Sequence, residues 1–116
     1  MILFREALGA PEEGMPPPSR ILKGAPRFST FNVTESDGGL TYAGEWEATP
    51  GAWRVAYEEW EFCHILKGVS LITQDGREGR RVEAGDSFVI EPGFTGTWEV
   101  IETTRKLYVI RLPRPA

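Results

Sequence analysis

From Arg27 onward the chain alternates between apolar and polar positions with a period of two. Leu40, Tyr42, Gly44, Trp46 and Ala48 interleave with Thr41, Ala43, Glu45, Glu47 and Thr49. One mostly apolar face at that spacing predicts a half-buried strand. Thr49-Pro50-Gly51 predicts its terminating turn. Ala52 to Leu66 is a long stretch rich in aromatic and β-branched residues; Gly68 is expected to break it, and Val69 to Thr73 to resume as a strand. Gln74-Asp75-Gly76 reads as a hairpin turn, because Asp-Gly supplies the positive φ angles such turns need. Arg80–Glu83, Ser87–Ile90, Thr97–Glu102 and Lys106–Leu112 follow as strands, punctuated by Ala84-Gly85-Asp86 and Glu91-Pro92-Gly93. No window of about eleven residues after Arg27 carries a helical period. Many short strands joined by Gly and Pro turns predict an all-β sandwich or barrel.

The first 26 residues are different. They hold Pro11, Pro16, Pro17, Pro18 and Pro26, with Gly9, Gly14 and Gly24. Consecutive prolines favour extended geometry and donate no ladder hydrogen bonds. Residues 10–19 therefore read as an arm or linker, packed on a neighbour; residues 1–8 suit a short helix or an edge strand equally. The division expected is a Pro-rich arm over 1–20 and one domain over 21–116.

Composition narrows the function. The 116 residues fit one domain. Thirteen basic against 17 acidic residues give a net charge of -4, which argues against a nucleic-acid partner. No apolar run approaches the ~20 residues of a membrane span. The opening Met1-Ile2-Leu3-Phe4-Arg5-Glu6 lacks a basic segment followed by an apolar one, so a cytoplasmic protein is expected. A single Cys63 excludes an internal disulfide, and a single His64 excludes any site with two imidazoles from one chain.

Two stretches carry a family likeness. Gly51–Gly68 (GAWRVAYEEWEFCHILKG) and Gly85–Trp98 (GDSFVIEPGFTGTW) resemble the two motifs that define the cupin superfamily. With Arg105-Lys106-Leu107-Tyr108-Val109-Ile110, they are most similar to its small single-domain branch, related to ureidoglycine aminohydrolase and the ethanolamine-utilisation cupins. The likeness covers residues 21–112. It implies a double-stranded β-helix jelly roll, commonly a dimer, with a ligand or metal site inside the barrel. Aligned to the first motif, Glu61 takes the glutamate position. The two histidine positions fall on Val55 and Tyr57, or on Arg54 and Ala56. In the second motif the proline falls on Glu91, the glycine on Gly93 and the histidine on Gly96. Only Glu61 remains of the usual ligand set. The expectation is therefore no histidine-based metal and no cofactor, and the aminohydrolase reaction is not carried over.

Strand parity sorts the candidates. With Glu61 pointing inward, Val55, Tyr57, Glu59, Cys63 and Ile65 do too, while Glu58, Trp60, Phe62, His64 and Leu66 point outward. His64 is then a packed outer residue or a subunit contact, not a partner for Glu61. The apolar outer set predicts a homodimer. Glu59 and Glu61 suit acid/base work, or a structural salt bridge to Lys106 or Arg54. Cys63 reads as a packed thiol, since His64 lies on the other face. Tyr57, Trp98, Lys106 and Tyr108 either line a pocket mouth or fill the core. Arg80-Arg81 and Arg105-Lys106 read as solvated or ion-paired. The candidate catalytic residues are thus Glu61, Glu59, Lys106 and Tyr108. The candidate ligand contacts are Tyr57, Glu61, Cys63, Trp98, Lys106 and Tyr108. The function expected is binding of a small polar metabolite, bearing carboxylate or amine groups, around Glu61. The alternatives are a small-metabolite enzyme, with or without a metal held by oxygens, and a structural or regulatory dimer with a vestigial pocket.

Overall fold

The structure is a computed structural model that describes residues 1–115. In chain order the elements are α1 (Phe4–Ala7), β1 (Glu12–Gly14), a 3₁₀ turn (Pro18–Arg20), β2 (Ile21–Gly24), β3 (Phe28–Ser36), a second 3₁₀ turn (Asp37–Gly39), β4 (Thr41–Ala48), β5 (Gly51–Ala56), β6 (Trp60–Gln74), β7 (Arg80–Glu83), β8 (Ser87–Ile90) and β9 (Thr95–Arg111). All strand pairs are antiparallel.

Two long strands, β6 and β9, pair along their whole length and organise the rest. The first half of β6 and the second half of β9 form one limb, ordered β8-β6-β9-β4-β3-β1. The other halves form a second limb, ordered β7-β6-β9-β5-β2. Between the limbs the β6–β9 register shifts three times, between Ile65 and Ser70. Extra residues of this kind bend a strand. Gly68 sits at the bend with φ of +89°, and a Cβ there would meet the Thr103 carbonyl oxygen at 2.1 Å. Only glycine tolerates both conditions.

The limbs face each other across an aromatic core. Trp46 on β4 lies 6.2 Å from Trp53 on β5, and Trp98 on β9 lies 5.5 Å from Trp46. Phe28 on β3 closes the group, 5.1 Å from Trp46 and 5.0 Å from Trp53. Ala48, Ile72, Ile90 and Val100 pack around it.

The expected parity holds along β6: Glu61, Cys63 and Ile65 are buried, and Trp60, Phe62 and His64 alternate with them. Several expectations need correction. Gly68 does not end a strand. The interruption in 52–66 falls instead at residues 57–59, between β5 and β6. The strands expected at 97–102 and 106–112 are one strand, β9, carried through its bend. At Asp75-Gly76 only Gly76 takes a positive φ, and β7 resumes pairing only at Arg80, so the connection is a loop longer than a two-residue hairpin. The 10–19 arm packs on its own chain: β1 pairs with β3, and Pro16 is fully buried. Residues 4–7 form a helical turn. Among the described residues no helix is long and apolar enough to cross a membrane.

Candidate functional site

The β6–β9 register puts Glu61 opposite Ile110, Cys63 opposite Tyr108 and Ile65 opposite Lys106, all on the inner face. Lys106 is therefore two rungs from Glu61. Its chain reaches across Cys63, and Nζ lies 2.9 Å from Glu61 Oε2. Both side chains are nearly sealed from solvent, at 6% and 4% exposure. The ammonium also lies 4.4 Å from the Trp46 ring centroid and 4.5 Å from that of Trp98. It is held by one carboxylate and two indole faces.

Trp98 is oriented by a directional hydrogen-bond chain at the bend. Thr104 donates its hydroxyl proton to the Glu102 carbonyl (2.8 Å). Thr104 Oγ1 then accepts from Ser70, 2.7 Å away, leaving Ser70 Oγ to accept from Trp98 Nε1 at 3.1 Å. Ser70 and Thr104 are fully buried. On the other side, Tyr108 extends over Gly44, where a Cβ would stand 2.7 Å from its hydroxyl, and donates to Asn32 Oδ1 at 2.7 Å.

A cavity of about 650 Å³ opens above this floor, between β3, β4, β5 and the N-terminal arm. Tyr57 and Glu59 reach it from the 57–59 segment, which Tyr57 ties to the 91–94 loop through Tyr57 N–H to the Phe94 carbonyl (2.9 Å) and Gly93 N–H to the Tyr57 carbonyl (2.7 Å). Arg54 also borders it but is committed elsewhere: Nη1 and Nη2 each donate to Asp75 at 2.7 Å. That pairing, with a further hydrogen bond from Thr95, holds the Asp75 carboxyl down at about 2.

Electrostatics fixes the protonation of the floor. Burial, reinforced by the Glu61 charge, pushes the Tyr57 hydroxyl well above its ordinary range. Burial pushes Cys63 up to about 12, against the pull of Lys106, so at neutral pH it is a thiol. Tyr108 is raised to about 12, again chiefly by burial and then by Glu61. Burial lowers Lys106, but Cys63 and Glu61 together raise it above its ordinary value. With Cys63 a neutral thiol, Glu61 is the partner that keeps the ammonium charged.

The structure thus brings Tyr57, Glu59, Glu61, Lys106 and Tyr108 to one cavity. Of the two salt bridges foreseen for the glutamates, the one from Lys106 forms, to Glu61. Three expectations change. Cys63 does not line the cavity; it lies beneath the ion pair, fully buried. Trp98 belongs to the floor, at 1% exposure, rather than to the mouth. Lys106 is an interior cation, unlike its neighbour Arg105, which pairs with Glu45 at 2.7 Å in a half-buried setting. His64 is on the outer face, with Nδ1 2.7 Å from Ser87 Oγ. Trp46, Trp53, Asn32, Ser70 and Thr104 were not singled out from sequence. Trp46 carried a signal, lying on the apolar face of the 40–48 alternation. Ser70 and Thr104 carried none, because what joins them is a register 34 residues apart.

The residues do not fit a histidine–glutamate metal centre. Neither pair aligned to the first-motif histidine positions, Val55 and Tyr57 or Arg54 and Ala56, holds a histidine. At Gly96 a Cβ would strike the Thr73 carbonyl oxygen at 2.0 Å, so no side chain of any kind fits there. The Glu61 oxygen that would face a cation already faces Lys106. No group of three or more His, Cys, Asp or Glu residues is arranged for metal binding among the described residues.

A bent antiparallel barrel with its polar site enclosed between the limbs defines a protein of the cupin class. The sequence matches the profile of the EutQ-like cupin domain over residues 35–108, and the chain belongs to that family. No curated protein matches it. Among solved structures, a protein of unknown function from Pseudomonas syringae superposes with a TM-score of 0.81 at 22% identity, covering 91% of this chain and 45% of that one. The chain thus spans less than half the length of that relative. The EutQ protein of Clostridium difficile gives a TM-score of 0.65 at 18% identity, covering 74% of this chain and 63% of its own. A DUF861-family protein from Thermotoga maritima is 30% identical over 55% of this chain and 73% of its own, with a TM-score of 0.53. The two matches at 22% and 18% identity speak for the fold alone.

Breaking the Glu61–Lys106 pair on one side leaves an uncompensated buried charge, which costs roughly 3–5 kcal/mol, whereas replacing both charges is often neutral. Lys106→Met alone is expected to lower stability by about that amount, and Glu61→Gln/Lys106→Met to regain most of it, as read by urea unfolding. An additive double variant contradicts the coupling.

Tyr57, Cys63, Lys106 and Tyr108 all have folded-state values above their ordinary ones. The unfolded chain therefore releases these protons first, and stability falls as pH rises. From pH 7 upward the expected profile is level to near pH 9, the ordinary value for Cys63, and then declines progressively toward pH 12. Cys63→Ala delays the onset to near 10, where tyrosine begins to ionise. Urea midpoints measured from pH 7 upward check this; a rising midpoint above pH 9 contradicts it.

Proposed function

We propose that this protein binds a small polar metabolite, carrying carboxylate or amine groups, in the cavity above Glu61 and Lys106. The observation that carries the reading is the sealed ion pair at the base of an open cavity. An interior pair of this kind is a poor stability device, since desolvating two ions offsets most of their attraction. A recognition role gives it a reason: it presents a fixed, oriented dipole on a floor walled by indole and phenol rings, which is how small-ligand sites combine apolar area with a few placed polar groups.

Among the groups of the floor, Tyr57, Cys63, Lys106 and Tyr108 are not poised as general bases. At neutral pH Tyr57, Tyr108 and Cys63 keep their protons and Lys106 keeps its charge. A general base needs a value near the working pH. None of these four meets that condition.

Trp46, Trp53 and Trp98 all line the cavity, so their fluorescence reports its occupancy. The wild type is expected to bind at least one of a panel of small acids, amines and amino acids with Kd below ~1 mM, about 4 kcal/mol. Glu61→Gln/Lys106→Met, shown folded by its unfolding transition, is expected to bind roughly tenfold more weakly, as for loss of one charged hydrogen bond. Equal binding by the double variant, or none by the wild type, defeats the proposal.

The outer face supports a separate reading, that two copies of the chain pair there. Val89 is 45% exposed and Leu66 39%, alongside half-buried Trp60 and Phe62. A contiguous apolar patch on a sheet face marks an association surface. Sedimentation is expected to show a dimer for the wild type and a monomer for Val89→Asp; a monomeric wild type contradicts the reading.

A further inference from the structure

One side of the cavity is lined by residues that precede the family-matched segment. Glu12, Pro16 and Arg20 line it, and all lie before residue 35. Their placement is set by pairing. In the β1–β3 register Glu13 faces Ser29 and Glu12 faces Thr30. Directly opposed residues of an antiparallel pair share a face. Ser29 donates its hydroxyl to Glu13 Oε2 at 2.9 Å, fixing Glu13 on one side. Glu12 is thereby turned to the other side with Thr30, and both line the cavity. Arg20 closes the 3₁₀ turn, its N–H bonded to the Pro17 carbonyl at 2.8 Å. Fully buried Pro16 and Pro26 anchor the backbone on either side of Arg20.

The charges around the cavity divide cleanly. Lys106 is spent on Glu61, and Arg54 on Asp75. Glu12, Glu59 and Arg20 have no ion-pair partner among the described residues. Two carboxylates and one guanidinium are thus left facing the cavity, beside the rings of Phe28, Trp46 and Trp53. A guanidinium matches a carboxylate through paired hydrogen bonds. Carboxylates beside aromatic faces match an ammonium.

We propose that the N-terminal arm reads the ligand's charge, and that the ligand is a small zwitterion whose carboxylate meets Arg20 and whose ammonium meets Glu12. The proposal rests on the cavity above Glu61 being the ligand site, and it names the class of ligand taken there. Because unpaired negative charge exceeds unpaired positive charge, a simple amine ranks second and a simple carboxylate last.

The test uses the intact chain and four probes of similar length: norvaline, 5-aminopentanoate, pentylamine and pentanoate, titrated by tryptophan fluorescence at low salt. One of the two zwitterions is expected to bind about tenfold more tightly than pentylamine, the gain of one charge-assisted hydrogen bond. Pentanoate is expected to bind most weakly. Arg20→Gln is expected to bring the zwitterion down to the level of pentylamine while leaving pentylamine unchanged. Glu12→Gln is expected to weaken both ammonium-bearing classes while sparing pentanoate. Both residues are exposed, so the variants fold, and unchanged melting curves check that. The preference is expected to shrink with added salt, as exposed charges require. If both variants bind every probe as the wild type does, the arm does not select the ligand, while the cavity reading stands. If no probe binds the wild type, or if Glu61→Gln/Lys106→Met binds all of them unchanged, the cavity reading falls and this proposal with it.

Discussion

The ammonium of Lys106 is the constraint around which the interior is arranged. Removing such a charge from water costs several kcal/mol, and one carboxylate at 2.9 Å does not repay that alone. The two indole faces, at 4.4 and 4.5 Å, add attraction of about 2 kcal/mol when desolvated. Both rings must then be held in place. Trp46 is fixed by packing against Phe28 and Trp53; Trp98 is fixed by its hydrogen bond to Ser70, which depends on Thr104. Ser70 and Thr104 meet only because β6 and β9 bend, and Gly68 permits the bend. A glycine backbone angle is in this way connected to the charge at the floor of the cavity.

The legible parts of the sequence were those governed by local physics. Alternation located β4, turn punctuation delimited β7 and β8, and parity along β6 put Glu61, Cys63 and Ile65 inside. The motif likeness supplied the class of fold. What misled was punctuation. Gly68 looked like a strand terminus because glycine ends strands as often as it bends them. The gap before Lys106 looked like a loop because Thr103, Thr104 and Arg105 interrupt the apolar period, yet the interruption is a bend with a buried Thr104. Cys63 is the packed thiol expected rather than a ligand contact, while Trp98, expected near the mouth, lies at the floor. Parity chooses a face and says nothing about distance from the mouth, which depends on how the limbs close.

The arm shows the same division. Five prolines and three glycines in the first 26 residues described a segment without long elements, and it holds only a helical turn, a 3₁₀ turn and two short strands. Its pairing with β3 depends on three residue pairs, too few to leave a pattern in the sequence. Glu12 and Arg20 read individually as ordinary surface charges. Their significance comes from which other charges near the cavity are already paired, and pairing is a property of the folded chain.

The Glu61–Lys106 pair also separates the frame of this fold from its chemistry. The bend, the barrel and the inward glutamate are present, while the positions aligned to the motif histidines carry none, and Gly96 has no room for a side chain. A lysine tethered to β9 supplies the positive charge from within the chain, so the carboxylate is neutralised without recruiting anything from solution. That changes what the cavity asks of a ligand. A carboxylate facing open space would select cations by its own charge; a neutralised pair selects weakly by charge and strongly by shape. Discrimination between charged ligands then passes outward, to groups with no partner of their own. In this chain those groups are Glu12, Glu59 and Arg20, and two of the three belong to the arm. Proteins sharing this barrel can therefore differ in ligand while their interiors stay the same, provided the segments at the mouth differ.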